Sequence, residues 1–94
     1  QSPLPNQKDW EKLLLIVENC MPVFYARITT DHLLTRQQLL VCILVRLGFT
    51  SSEISILFDT SQQSITNMKI KINDKLFHEK SAATLEKNLK RLEV

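Results

Sequence analysis

From Leu39 to Val45 the chain runs through seven consecutive apolar residues, and its only glycine, Gly48, follows three positions later. Thr35 and Gln38 stand just upstream at the spacing that lets a threonine oxygen and a glutamine side chain satisfy each other's free backbone N–H groups. A helix therefore opens after Thr35 and runs to Leu47, where Gly48 suits a left-handed C-cap that other residues adopt only at a cost. A helix that is apolar all round has to be buried on several sides. Seven residues fall far short of the ~20 needed to cross a bilayer, so the cover must come from the rest of this chain.

The chain has 94 residues, enough for one modest core. It is 44% hydrophobic and has one glycine and three prolines, two of them within the first five residues, a balance that favours helices over strands joined by glycine-rich turns. The expected class is all-α. Residues 1–6 read as a polar leader, 7–33 as an N-terminal helical cover and 34–94 as the principal domain. Within the cover, Asn6 caps a helix from Gln7 to about Cys20, with Trp10, Leu13, Leu14 and Val17 on its apolar face and Leu15 and Ile16 widening it. Pro22 begins a second short helix through Arg27 that displays Val23, Phe24 and Ile28. Trp10 and Phe24 read as core anchors, and Thr29 to His32 as a loop.

Beyond Gly48, the stretch Thr50 to Leu76 reads as two helices split by a polar turn. Thr50 and Glu53 repeat the capping pattern. Ile54, Leu57 and Phe58 fall on one side of the first helix, and Asp59-Thr60-Ser61 supplies a turn and the next cap. In the second helix, from Gln62 to about Leu76, Ile65, Met68, Ile72 and Leu76 form a buried stripe. The opposite side carries Gln63, Asn67, Ile70 and Asp74, flanked by Thr66 and Lys71, with Lys69 and Lys75 near the stripe's edges. Two short helices with such an outward face are a helix-turn-helix signature. Amides can pair with adenine, hydroxyls and amines can hold phosphates or base edges, and an isoleucine can touch a thymine methyl. After a short connection, Ser81 is the expected cap of a last helix in which Leu85, Leu89 and Leu92 recur at spacings of four and three. Those leucines suit the chain's own core, a seam between two copies, or both.

The residues Leu34-Thr35, Leu39 through Gly48, Thr50-Ser51-Ser52-Glu53-Ile54, Ser61 with Ser64-Ile65, and Lys75-Leu76 follow one another in an order that resembles the LuxR/GerE-type helix-turn-helix domain. With the Trp-led helix in front, the chain looks most like the form at the C-terminus of Bacteroides-type transcriptional regulators. The resemblance spans about Leu34 to Leu76, under half of the chain, and Ser55 stands where the pattern has alanine. It implies a four-helix core, here with one or two extra N-terminal helices. It also implies a transcriptional output domain whose helix 62–76 enters the major groove of double-stranded DNA. The groove-facing positions are then Thr66, Asn67 and Ile70, and the helical wheel adds Gln63 as a fourth base-facing residue. Phosphate contacts fall on Thr50, Ser51, Ser52, Lys69, Lys71 and Lys75. Dimerisation through the last helix would use Leu85, Leu89 and Leu92.

The net charge of +2 does not by itself announce a nucleic-acid partner, so its distribution matters. Between Ser61 and Lys80 four lysines face two acids, whereas Thr50 to Thr60 carries only Glu53 and Asp59. Cys20 and Cys42 sit in apolar surroundings far apart in sequence, which predicts buried free thiols and a reducing, cytoplasmic setting. His32 and His78 lack metal-ligand spacing and read as surface histidines. No cofactor, metal, small-molecule substrate or membrane contact is expected, and no nucleophile has a base at readable spacing, which points away from catalysis. The chain opens on Gln and not Met, as a fragment of a longer regulator would. The alternative reading is a protein-interaction module on the same fold, with Ile70 and the last leucine stripe as its contact surface.

Overall fold

The computed structural model describes residues 4–93, and among these every regular element is a helix. The helix starts follow from local hydrogen bonding. Asn6 Oδ1 accepts the Asp9 N–H at 3.0 Å while Asp9 Oδ2 accepts the Asn6 N–H at 2.9 Å, opening α1 (Gln7–Cys20). Pro22 opens α2 (Pro22–Thr29) without a side-chain cap. The same reciprocal pattern joins Thr35 to Gln38 at the start of α3 (Arg36–Arg46) and Thr50 to Glu53 at the start of α4 (Ser51–Leu57). Ser61 caps α5 (Gln62–Phe77) by accepting the Ser64 N–H at 3.1 Å. Each cap meets donors that the first helical turn would otherwise leave open. Thr50→Ala should therefore cost about 1 kcal/mol, read as a lowered urea midpoint with an unchanged denaturant slope.

The helix ends are as local as the starts. After α3, the Gly48 N–H donates to the Val45 carbonyl and the Phe49 N–H to the Leu44 carbonyl, both at 3.0 Å, with Gly48 at φ 95°. This is the closure in which one left-handed residue lets two trailing N–H groups turn back onto the last carbonyls. Asp59, at φ 52°, does the same for α4 with a non-glycine residue, the Thr60 N–H reaching the Ser55 carbonyl at 2.9 Å. His78, at φ 58°, ends α5. A 3-10 turn at Thr30–His32 links α2 to α3, and a second at Arg91–Glu93 follows α6 (Leu85–Lys90).

The apolar run of α3 forms the centre of the molecule, with Val41, Cys42 and Ile43 fully buried and Leu44 and Val45 nearly so. Its cover comes from both ends of the chain. α1 packs on α2 and α3, α5 packs on α3, α4 and α6, and the last turn returns onto α2. Val17, Phe24, Ile28, Ile54, Ile65, Ile72, Leu85 and Leu89 complete one core. Trp10 lies at the edge of this core, its ring stacked on Phe58 with centroids 4.9 Å apart and planes 7° from parallel, so it ties α1 to the end of α4. Between α1 and the segment Pro22–His32 the chain bends by 117°, and no single helix among the described residues is long and apolar enough to cross a membrane.

Several expectations are corrected. Leu15 and Ile16 do not widen the buried face of α1 but are 59% and 58% exposed, because α1 touches its neighbours along one narrow seam. Val23 also faces solvent. Cys20 is exposed at the end of α1, whereas Cys42 is buried and its thiol is pushed well above its ordinary value by that burial. Ser81 does not cap the last helix. Its hydroxyl accepts the Ala83 N–H within a turn, and α6 starts only at Leu85, without a side-chain cap. Of the leader, Gln1, Ser2 and Pro3 lie outside the described residues.

One polar cluster in the interior was invisible in the sequence. Asn73 is fully buried, donating from Nδ2 to the Ser81 carbonyl at 2.8 Å and to Thr84 Oγ1 at 2.9 Å. Its Oδ1 accepts from Asn88 Nδ2 at 3.0 Å, and Asn88 also reaches Glu79 Oε1 at 3.3 Å. The Thr84 hydroxyl donates to the other Glu79 oxygen. These bonds hold the connection after α5 against α6 and so fix how α5 is presented.

Candidate nucleic-acid interface

The face of α5 that turns away from the core follows from its register. Ile65, Ile72 and Asn73 are buried, which leaves Gln63, Asn67 and Lys71 exposed on the outward side and Ser64 and Lys75 exposed at the edge of the buried stripe. Gln63, Asn67, Lys71 and Lys75 succeed one another every four residues, and residues so spaced share a helix face. Within the row, Gln63 Nε2 donates to Asn67 Oδ1 at 3.0 Å. That bond commits one amide hydrogen and one amide oxygen, while Asn67 Nδ2 keeps its donor capacity.

The remaining sites expected on α5 are placed differently. Thr66 and Ile70 lie on the flank and are half-buried, as is Asp74. Ile70 is thus not the lone outward apolar residue that the helical wheel suggests. Lys69 is on the core side and half-buried. Burial pulls its ammonium below the usual lysine value, with Glu86 of α6 pulling the other way. Its ammonium is therefore less accessible than that of Lys71, which is exposed. Lys75 is exposed but engaged, its Nζ donating to Gln38 Oε1 at 2.7 Å.

At the start of α4, Thr50 and Ser52 are exposed and Ser51 is half-buried. The Thr50 side chain and backbone N–H are both committed to Glu53, whose carboxylate sits on that helix end at 2.8 Å from the Thr50 nitrogen. A phosphate there would meet a carboxylate, so this end of α4 is electrostatically unlike the face of α5. Ser55 is buried but satisfied, its hydroxyl donating to the Ser52 carbonyl at 2.7 Å.

Leu85 and Leu89 are fully buried in the chain's own core. A seam between two copies has neither side chain to offer, because they cover α3 and α5 from within. Leu92 alone of the three is partly exposed, where it helps line a second groove of about 330 Å³ with Arg27, Leu33 and Phe77. His32 and His78 are both exposed.

One feature of the site was not anticipated from sequence. The first turn of α3 lies beside α5, and between them is an open groove of about 290 Å³ lined by Thr35, Gln37, Gln38, Ser64, Asn67, Met68 and Lys71. Gln38 is the hinge pin of this arrangement. Its Oε1 accepts both the Thr35 N–H and Lys75 Nζ, joining positions 37 residues apart. The capping box of α3 was legible, but its proximity to α5 had no sequence signal. No family model, no curated protein and no solved structure matches the chain.

Proposed function

We propose that this chain is a DNA-binding module of the helix-turn-helix kind, similar to LuxR/GerE-type output domains of transcriptional regulators, with α5 as the helix that enters the major groove. The observation that carries this reading is the exposed row Gln63, Asn67, Lys71 and Lys75. It combines two amides able to read base edges with two ammonium groups able to hold phosphate. α4 and the turn at Asp59 to Ser61 support α5 from behind, as a scaffold helix does for a reading helix. Ile70 and Thr66 serve at the flank of the contact. If two copies bind successive half-sites, they meet through surfaces other than Leu85 and Leu89.

The test is fluorescence anisotropy on mixed-sequence duplex DNA across a range of salt concentrations. Affinity should fall steeply with salt, and Lys71→Glu with Lys75→Glu should flatten the log–log slope by about 0.9 for each phosphate that the protein no longer neutralises. Circular dichroism would establish that the double variant still folds. A folded double variant with wild-type affinity and slope would refute the groove assignment. Abolition of a protein–protein interaction on replacing Ile70 by Asp, with DNA binding intact, would favour an interaction module.

A further inference from the structure

We propose that Arg36 and Gln37, in the first turn of α3, form a second wall of the interface, so that one phosphodiester strand of the duplex runs along the groove between α3 and α5. The proposal rests on the DNA-binding reading of α5 and adds residues that reading does not include.

The carrying observation is which hydrogen-bonding capacity around the groove is already used. Ser64 Oγ accepts the Ser61 hydroxyl at 3.0 Å, so its own O–H is left to donate. Asn67 Oδ1 accepts from Gln63, which leaves the Asn67 amino group. Gln38 Oε1 is taken by the Thr35 N–H and Lys75. Internal bonds thus fill the Gln38 oxygen and occupy one acceptor position each on Ser64 and Asn67, while the donors of Ser64 and Asn67 are left unspent. Lys71 adds an exposed ammonium group, and Gln37 stands exposed on the facing wall with Arg36 exposed beside it. None of the residues lining the groove carries a carboxylate. A surface with surplus donors and positive charge fits a partner made of acceptors, and phosphate oxygens accept hydrogen bonds without donating them.

The openness of the groove favours a passing strand over an enclosed ligand. The groove, of about 290 Å³, is open to solvent, whereas small-molecule sites bury most of their ligand's surface. Such a groove suits a strand in transit. Its walls are set by the bond between Gln38 and Lys75, which fixes the start of α3 against the outward face of α5, so both walls present their donors together.

The experiment compares duplex-DNA anisotropy, over the same salt range, for the wild type, Arg36→Glu with Gln37→Glu, Lys71→Glu, and Lys12→Glu as a control on the exposed side of α1. Arg36 and Gln37 are exposed, and Arg36→Gln with Gln37→Ala provides a gentler pair if the charge reversals disturb the fold. The paired α3 variants should weaken binding by about tenfold or more and lower the salt slope by about one phosphate contact, with Lys12→Glu unchanged. If the α3 pair binds like wild type while Lys71→Glu is impaired, the second wall is wrong and the α5 reading stands. If Lys12→Glu weakens binding as much as the α3 pair does, the effect is one of general charge and the track is wrong. If the wild type binds no duplex even at low salt, both readings fail together.

Discussion

A fragment spanning residues 34–94 should not fold cooperatively. The fragment contains α3 to α6, but it lacks α1 and α2, and with them the buried Val17, Phe24 and Ile28 that close one side of the core. Fully burying such side chains stabilises by roughly 1.5–3 kcal/mol each. Together their removal approaches the ~5–15 kcal/mol that holds a typical domain folded. It would also open the central helix, whose Val41, Cys42 and Ile43 have no exposure in the intact chain. Circular dichroism and urea melts should show low helix content and a broad transition for the fragment, against one sharp transition for residues 1–94. Phe24→Ala in the intact chain gives the graded version, with a cost of about 3–5 kcal/mol. A fragment that melts as sharply as the full chain would mean that α1 and α2 are an appendage and that a boundary at Leu34 is real.

Replacing Asn73 by alanine should be nearly as damaging, for a different reason. The substitution removes few apolar contacts but takes away the donor to the partly buried Ser81 carbonyl and to Thr84 Oγ1, and leaves the buried Asn88 amide with only its longer bond to Glu79. Leaving a buried polar group without its partner costs about 1–3 kcal/mol, so a loss of several kcal/mol is expected. A double-mutant cycle with Asn88→Ala should show strong coupling, because the two amides are hydrogen-bonded to each other and the second substitution removes a group that the first had already left short of a partner. Additive losses would mean that the two amides act independently.

The same cluster adds a pH dependence. The Thr84 hydroxyl and, next, the Asn88 amide donate to the Glu79 carboxylate and hold it below the ordinary glutamate value of 4.5, with Arg91 and Lys87 assisting and burial opposing. Because the folded state favours the ionised form, this contribution to stability is fully present above the unfolded pKa. It is lost as the pH falls through the lower, folded pKa. Glu79→Gln should therefore cost stability at neutral pH and flatten the acid side of the stability profile.

How much of this was legible in the residues can be seen at particular positions. The starts of α1, α3, α4 and α5 and the end of α3 could be read because each depends on groups within a few residues of one another. Asn6 with Asp9, Thr35 with Gln38, Thr50 with Glu53, Ser61 with Ser64, and Gly48 are all of this kind. Ser81 shows the limit of that logic, since a serine before an apolar helix was used in a turn instead. The candidate interface was half legible. The row on α5 follows from helical periodicity, but Gln37 stands about thirty residues away in sequence from Asn67 and lines the same groove only through packing.

By itself, then, the sequence determined the all-helical class, most helix boundaries and the inward stripe of α5, because backbone hydrogen bonding and a period of 3.6 residues act over one or two turns. Only the tertiary structure decided what covers each apolar face. It buried Leu85 and Leu89 inside the chain, left Leu15, Ile16 and Cys20 outside, drew Lys69 toward α6, and enclosed Asn73 in a polar cluster. The physical reason is that periodicity specifies that a face is apolar but carries no record of its partner. Hydrophobic attraction is non-directional, and the partner is chosen by which helices can pack together around α3.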